Sequence, residues 1–183
     1  MRGSIYRGIR ELPISKVNMA DTMTPEQRHR CMAAIKGKDT KPEMIVRRYL
    51  HGLGYRYGLH NRKLPGSPDL VFRKYKTVLF IHGCFWHGHE DCKLYRPPKS
   101  NVEFWEQKIT RNRARDKKVE EELRRKGWRI LTIWECELRE KGKREETLHR
   151  LRLELERIKR EEADYPELGE IPTAADPEER YGE

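Results

Sequence analysis

Residues Thr77–Cys92 read TVLFIHGCFWHGHEDC, and this stretch decides the fold. Its first segment, Thr77 to Ile81, is apolar and rich in β-branched and aromatic side chains, as a buried strand should be. The loop that follows holds His82, His87 and His89, together with Cys84 and Cys92. Imidazole and thiol are the groups that bind zinc or move protons near neutral pH. Phe85 and Trp86 lie between them, with polar or metal-ligand types on both sides and no evident core to fill. Upstream, Pro68-Asp69 opens the run Leu70-Val71-Phe72, which pairs with Thr77–Ile81 as a predicted hairpin.

The metal ligands have a readable spacing. Cys84-x4-His89-x2-Cys92, completed by the distant Cys136, supplies three thiolates and one imidazole. That is a tetrahedral Cys3His set of the kind that holds structural zinc, though the spacing is not that of a standard finger. The plainer reading is unligated buried cysteines. A closed set of this kind has no open position for water, so the expected metal is structural and His82 and His87 stay free for proton transfer. Asp69 is the natural ligand for a hard cation such as Mg²⁺.

Composition bounds the rest. The chain has 183 residues, enough for one domain with tails. Lys and Arg number 40 against 30 acidic residues, a formal net charge of +10. A basic body suits a polyanion such as nucleic acid, or is simply a solvated surface. Four cysteines do not make a secreted disulfide framework at this length, so a reducing, cytoplasmic setting is expected. No apolar run approaches the roughly 20 residues that span a bilayer, and the N-terminus does not resemble a signal peptide. Residues 1–20 read as a flexible basic arm, with Met19 an alternative start. Residues 164–183 read as a disordered acidic tail whose only basic residue is Arg180.

Between these tails, residues 21–163 form the expected domain. Thr24-Pro25-Glu26-Gln27 opens a helix to about Ile35, with Cys31 inside it as a packed thiol. Thr40-Lys41-Pro42-Glu43 opens a second, ended by Gly54. Glu43 has two readings, the return half of a capping box or a carboxylate aimed at a site. Tyr55-Arg56-Tyr57 reads as a short strand, and Arg96-Pro97-Pro98 as extended chain. A capping box at Ser100–Glu103 starts a long helix ending near Lys126. Trp105, Ile109, Val119 and Leu123 form its inward stripe, and Asp116 falls on the same stripe. Asp116 is either locally ion-paired or an inward partner for a histidine. Trp128–Trp134 is a further strand that delivers Cys136 at its end. A last helix, about Glu145–Glu162, carries Leu148, Leu151, Leu155 and Ile158 as a packing face. The predicted class is α/β, a small mixed β-sheet flanked by helices.

Several of these fragments coincide with one family. Pro65-Gly66-Ser67-Pro68-Asp69, Phe80-Ile81-His82-Gly83-Cys84-Phe85-Trp86-His87-x-His89, Glu103-Phe104-Trp105, Arg115-Asp116 and Trp134-Glu135-Cys136 closely resemble the very short patch repair endonucleases. The resemblance spans roughly Asp21 to Glu140. It implies a restriction-endonuclease-like core with a structural zinc site, and nicking of double-stranded DNA 5′ of the T in a T:G mismatch. Carried over by position, Asp69 would ligate Mg²⁺ together with the backbone carbonyl of Ile81, where the family pattern has Thr. His87 would activate water with help from Asp116, His82 would lie near the scissile phosphate, and Glu43 would support the site. Cys84, His89, Cys92 and Cys136 would hold Zn²⁺, although the loop has one more residue than the family pattern. Phe85, Trp86 and Trp105 would wedge into the base stack. The expected partners are mismatched duplex DNA and mismatch-repair proteins, with the chain a cytoplasmic, nucleoid-associated monomer and no membrane contact. The alternatives are a nuclease of the same fold with another mispair or site preference, and a non-catalytic zinc-stabilised DNA-binding module.

Overall fold

A computed structural model of the chain describes residues 24–34, 36–96 and 101–164. The predicted arm and all of the predicted tail beyond 164 lie outside them, as do Ile35, Ser100, Pro97-Pro98 and the side chain of Cys31.

A four-stranded sheet has the order β1-β2-β3-β4, with β1 Gly58–Leu59, β2 Leu70–Phe72, β3 Thr77–His82 and β4 Arg129–Trp134. The hairpin forms with Leu70 opposite Leu79 and Phe72 opposite Thr77, joined by a short 3-10 turn. β4 runs parallel to β3, from Thr77 beside Arg129 to His82 beside Trp134. A parallel neighbour needs a long crossover, which is supplied by helix α3, Val102–Arg125. Small mixed sheet and flanking helices agree with the predicted class.

Alternation along the strands divides the core in two. Leu70, Phe72, Leu79 and Ile133 face α2 (Lys41–Gly52), α4 (Glu135–Arg139) and α5 (Lys141–Asp164), where Val46, Leu50, Leu138, Leu151 and Leu155 are buried. Val71, Val78 and Phe80 face the other way, against Leu123 and Val119 of α3. Leu148, Leu151, Leu155 and Ile158 are all buried, so the stripe on α5 is a packing face.

Four local expectations are corrected. Tyr55–Tyr57 is not a strand: Tyr55 and Tyr57 pack edge-on against Phe72, and the Tyr57 hydroxyl donates to the Arg47 carbonyl at 2.8 Å. Pairing begins only at Gly58. The N-cap of α3 is Asn101 rather than Ser100; it takes a left-handed φ of 51°, and its side chain makes no capping bond. α5 begins at Lys141, earlier than its apolar stripe suggests, and reaches Asp164, the first residue assigned to the tail. Finally, Cys136 lies in the first turn of α4 rather than at a bare strand end. Glu137 folds back to accept the Trp134 N–H at 2.8 Å and so fixes that turn. Helix α1, Pro25–Ala33, has its capping box as predicted, with Thr24 and Gln27 bonded reciprocally.

Leu155 joins α5 to the sheet with no exposed surface. Leu155→Ala should lower the unfolding free energy by about 2–5 kcal/mol, measured by urea denaturation. A loss under about 1 kcal/mol would mean that α5 is not part of the cooperative core.

Candidate active site and metal centre

The cleft is made where chain ends meet. Asp69 stands at the start of β2, His82 ends β3, Glu43 opens α2, and Asp116 lies midway along α3. With Ile81, His87 and Trp86 they line a cleft of about 900 Å³ whose basic groups are Lys36, Lys38, Arg62 and Arg115.

Asp69 is oriented by backbone. The Ile81 N–H donates to Asp69 Oδ2 at 2.7 Å. Burial, reinforced by the nearby Glu43 charge, holds the Asp69 carboxyl above the usual carboxylate range against the opposing Ile81 bond. A carboxylate short of water and set beside another carboxylate is well matched to a cation. Carboxylate oxygens are the donors a hard divalent ion takes, so Asp69 with Glu43 nearby in the same cleft fits one.

Glu43 makes only half of a capping box. Its N–H reaches Thr40 Oγ1 at 3.4 Å. Its carboxylate turns inward instead, 98% buried, to Arg47 at 3.2 Å and to His60 Nε2 at 3.0 Å.

His82 and His87 stack with centroids 3.8 Å apart and planes 4° from parallel. His87 Nδ1 lies 2.6 Å from Asp116 Oδ2, while Arg115 donates to Asp116 Oδ1 at 2.9 Å. Both readings of Asp116 are therefore realised at once. Burial opposes ionisation of Asp116, but the bonds from His87 and Arg115 hold it below the usual range. A carboxylate at that distance accepts a hydrogen bond from Nδ1–H, which leaves Nε2 of His87 as the proton acceptor.

The cysteines converge despite their irregular spacing. Cys84, His89, Cys92 and Cys136 place one ligand atom each within 4.8 Å of one another. His89 Nδ1 is 3.5 Å from both Cys84 Sγ and Cys136 Sγ. A tetrahedron with Zn–S near 2.3 Å and Zn–N near 2.05 Å has an S···N edge of about 3.5 Å, so the set fits zinc. The His89 ring lies flat on Trp134 at 3.9 Å, which fixes its plane. Backbone N–H groups of Cys136 and Leu94 approach Cys84 and Cys92 sulfur at 3.4 Å, the outer support that thiolates need. Burial pushes the Cys84 thiol up to about 12, so its ionisation calls for a cation.

The aromatic residues form a separate, half-exposed group outside both core clusters. Phe85 lies 5.2 Å from Trp86 and 5.1 Å from Trp105, and Phe104 adds to the group at 5.3 Å from Trp105. The loop is clamped to α3: Asn112 donates to the Trp86 carbonyl at 2.8 Å, and Arg113 donates to the Gly88 carbonyl. Gly88 is buried at φ +59°, and a Cβ there would meet Ile109 at 2.5 Å. His60 and Asn112 were not anticipated from sequence. Only the register of β1 against β2 brings His60 to Asp69, and only the packing of α3 brings Asn112 to the loop.

His82 is drawn down to about 4, first by burial and then by His87. Its folded value lies below its unfolded one, so the unfolded chain takes the proton first. The contribution is complete above about pH 6.5 and is lost as pH falls toward 4. It amounts to about 3 kcal/mol at most. Melting should show the wild type losing stability across that window more steeply than His82→Phe, the other acid titrations being common to both. Parallel curves would refute the assignment.

Residues 20–94 match the family described as DNA mismatch endonuclease Vsr. A type II nicking enzyme, V.XorIIP of Xanthomonas oryzae pv. oryzae, is 46% identical over 73% of this chain and 97% of its own length. V.NmeAIP, a type II nicking enzyme of Neisseria meningitidis serogroup A, is 47% identical over 73% of this chain and 94% of its own. The DNA mismatch endonuclease Vsr of Escherichia coli K12 is 41% identical over 68% of this chain and 80% of its own. At that identity, sustained over most of each relative, the chain belongs to the Vsr family of DNA endonucleases.

Proposed function

We propose that this protein is a Mg²⁺-dependent endonuclease, built on a restriction-endonuclease-like core, that nicks duplex DNA 5′ of the T in a T:G mismatch. The observation that carries this reading is the His87–Asp116 pair at 2.6 Å, set in the same cleft as the Ile81-anchored Asp69 and beside a half-exposed aromatic group. The printed names of the relatives, a mismatch endonuclease and nicking enzymes, point the same way. The protein would work as a monomer on mismatched DNA in the cytoplasm, at the nucleoid and alongside mismatch-repair proteins. Among the described residues no helix is long and apolar enough to cross a membrane.

The chain's own groups have separable tasks. Asp69 and the Ile81 carbonyl would hold Mg²⁺, which when bound neutralises phosphate charge and positions the attacking water. His87 Nε2 takes a proton from that water, and Asp116 stabilises the imidazolium that results. His82, kept neutral by burial, donates a hydrogen bond toward the scissile phosphate. Glu43 supports the cation side. Lys36, Lys38, Arg62 and Arg115 attract the backbone. Phe85, Trp86 and Trp105 enter the base stack, which costs a few kcal/mol per step and least at a mispair, so insertion itself discriminates. Zn²⁺ at Cys84, His89, Cys92 and Cys136 stiffens the loop that carries these groups.

A panel of end-labelled T:G, T:A and otherwise mismatched duplexes tests the reading. Nicking should occur on the T strand, 5′ of the mispaired T. Asp69→Ala and His87→Ala should each slow it at least about 100-fold. Trp86→Ala should lose preference for the mismatch more than affinity for intact duplex. Equal cutting of all duplexes would favour the same chemistry with another target. Binding without cutting would favour a non-catalytic module.

Metal analysis should find one zinc per chain. Stripping it with a zinc-selective chelator, or making Cys92→Ala, should lower the melting temperature and abolish nicking. Zinc-free protein that melts like the untreated sample would sink the structural role.

A further inference from the structure

His60 sits at the cation side of the cleft without a role so far. It follows β1, and its N–H donates to the Asp69 carbonyl at 3.3 Å, extending the register in which Leu59 faces Leu70. Opposed residues of an antiparallel pair share a face, so its imidazole rises beside the Asp69 carboxylate. His60 Nδ1 is 3.9 Å from Asp69 Oδ1, and Nε2 is 3.0 Å from Glu43 Oε1. The Nε2 atom is buried and approaches Glu43 too obliquely for a true hydrogen bond. It therefore acts as a polar prop rather than as a fixed donor. Holding it there requires φ +44°, a left-handed conformation that a non-glycine residue adopts at some cost.

The reason for such a prop lies in the two carboxylates. Glu43 and Asp69 repel each other, and Glu43 has an alternative partner in Arg47, which also binds Asp39 at 2.5 Å. Left to these forces, Glu43 would turn toward Arg47 and away from Asp69. The imidazole of His60 meets the same Glu43 oxygen as Arg47 does, and its other ring nitrogen faces Asp69, so it ties Glu43 to the Asp69 side of the cleft. We propose that His60 is a positioning residue that keeps the Glu43 carboxylate beside Asp69, so that two carboxylates rather than one face the divalent cation. The inference rests on the metal-dependent nuclease reading above, and a neutral imidazole suffices for it.

The test is Mn²⁺ binding to the zinc-loaded full chain, read from the electron paramagnetic resonance signal of free Mn²⁺, so that no activity is needed. Outer residues that orient a metal ligand typically matter about 10–100-fold in affinity. His60→Ala and His60→Phe should each weaken binding about 10-fold. His60→Gln, which restores a polar N–H, should stay within about threefold of the wild type. Adding His60→Ala to Glu43→Gln should have no further effect, because the influence runs through Glu43. A merely structural role would not give that pattern. Phe fills the imidazole's volume, so His60→Phe carries the test should His60→Ala fail to fold. Unchanged affinity in His60→Phe, with binding lost in Asp69→Ala, would overturn the inference and leave the reading beneath it intact. Undiminished binding in Asp69→Ala would overturn the metal-site reading itself and the inference with it.

Discussion

The parallel pairing of Thr77–His82 with Arg129–Trp134 puts two chain ends side by side. The loop leaving His82 and the short helix leaving Trp134 start from neighbouring points and diverge only after Cys84 and Cys136 have met. A slip of two residues in this register would carry Cys136 some 6–7 Å along the strand, beyond any metal bond. A slip of one would turn every core side chain to the wrong face. The buried apolar faces of β3 and β4 fix the register, and through it they fix the ligand set. The same pairing brings Trp134 under His89, so one aromatic ring links the sheet to the Cys–His cluster.

The long helix supplies the second constraint. Its apolar residues at Ile109 and Leu123 are buried, which forces the intervening Asp116 toward the loop. An inward carboxylate is costly alone, and here it is matched by an imidazole on one oxygen and a guanidinium on the other. Side-chain charge is thus placed by packing on one element and neutralised by residues on another. The basic excess of the chain is similarly selective. Many arginines of α5 and of the C-terminal half of α3 are engaged with glutamates one turn away, as Arg124 is with Glu120 and Arg157 with Glu154 and Glu161.

Much of this was legible from local sequence, because the relevant signals are periodic or compositional. The β2–β3 hairpin, the α3 crossover, the position of Asp116 on its stripe and the leucine face of α5 all follow from the spacing of apolar residues. The grouping of Cys84, His89 and Cys92 follows from residue type. What could not be read depends on register and on short-range competition. Nothing near His60 announces that it lies opposite Asp69, since that neighbour is set by a two-residue strand. Helix α4 is too short to show a period. Tyr55 and Tyr57 have the composition of a strand, yet their rings and one hydroxyl are drawn into packing against Phe72 and Arg47. Glu43 satisfied the pattern of a helix cap, while its buried carboxylate found stronger partners.

The loop between His82 and Cys92 interleaves residues of the cleft, of the Cys–His cluster and of the aromatic group, so its tolerance for length change is uneven. Between His82 and His89, insertion of a single residue would exchange cleft, cluster and aromatic positions with one another. After His89 only one ligand remains, and the chain there turns through Asp91 at φ +51° before reaching Cys92. An added residue there would leave the upstream order intact. A change in loop length is therefore least disruptive downstream of His89, where Cys92 alone of the four clustered side chains of the metal-ligating type remains to be placed within the loop.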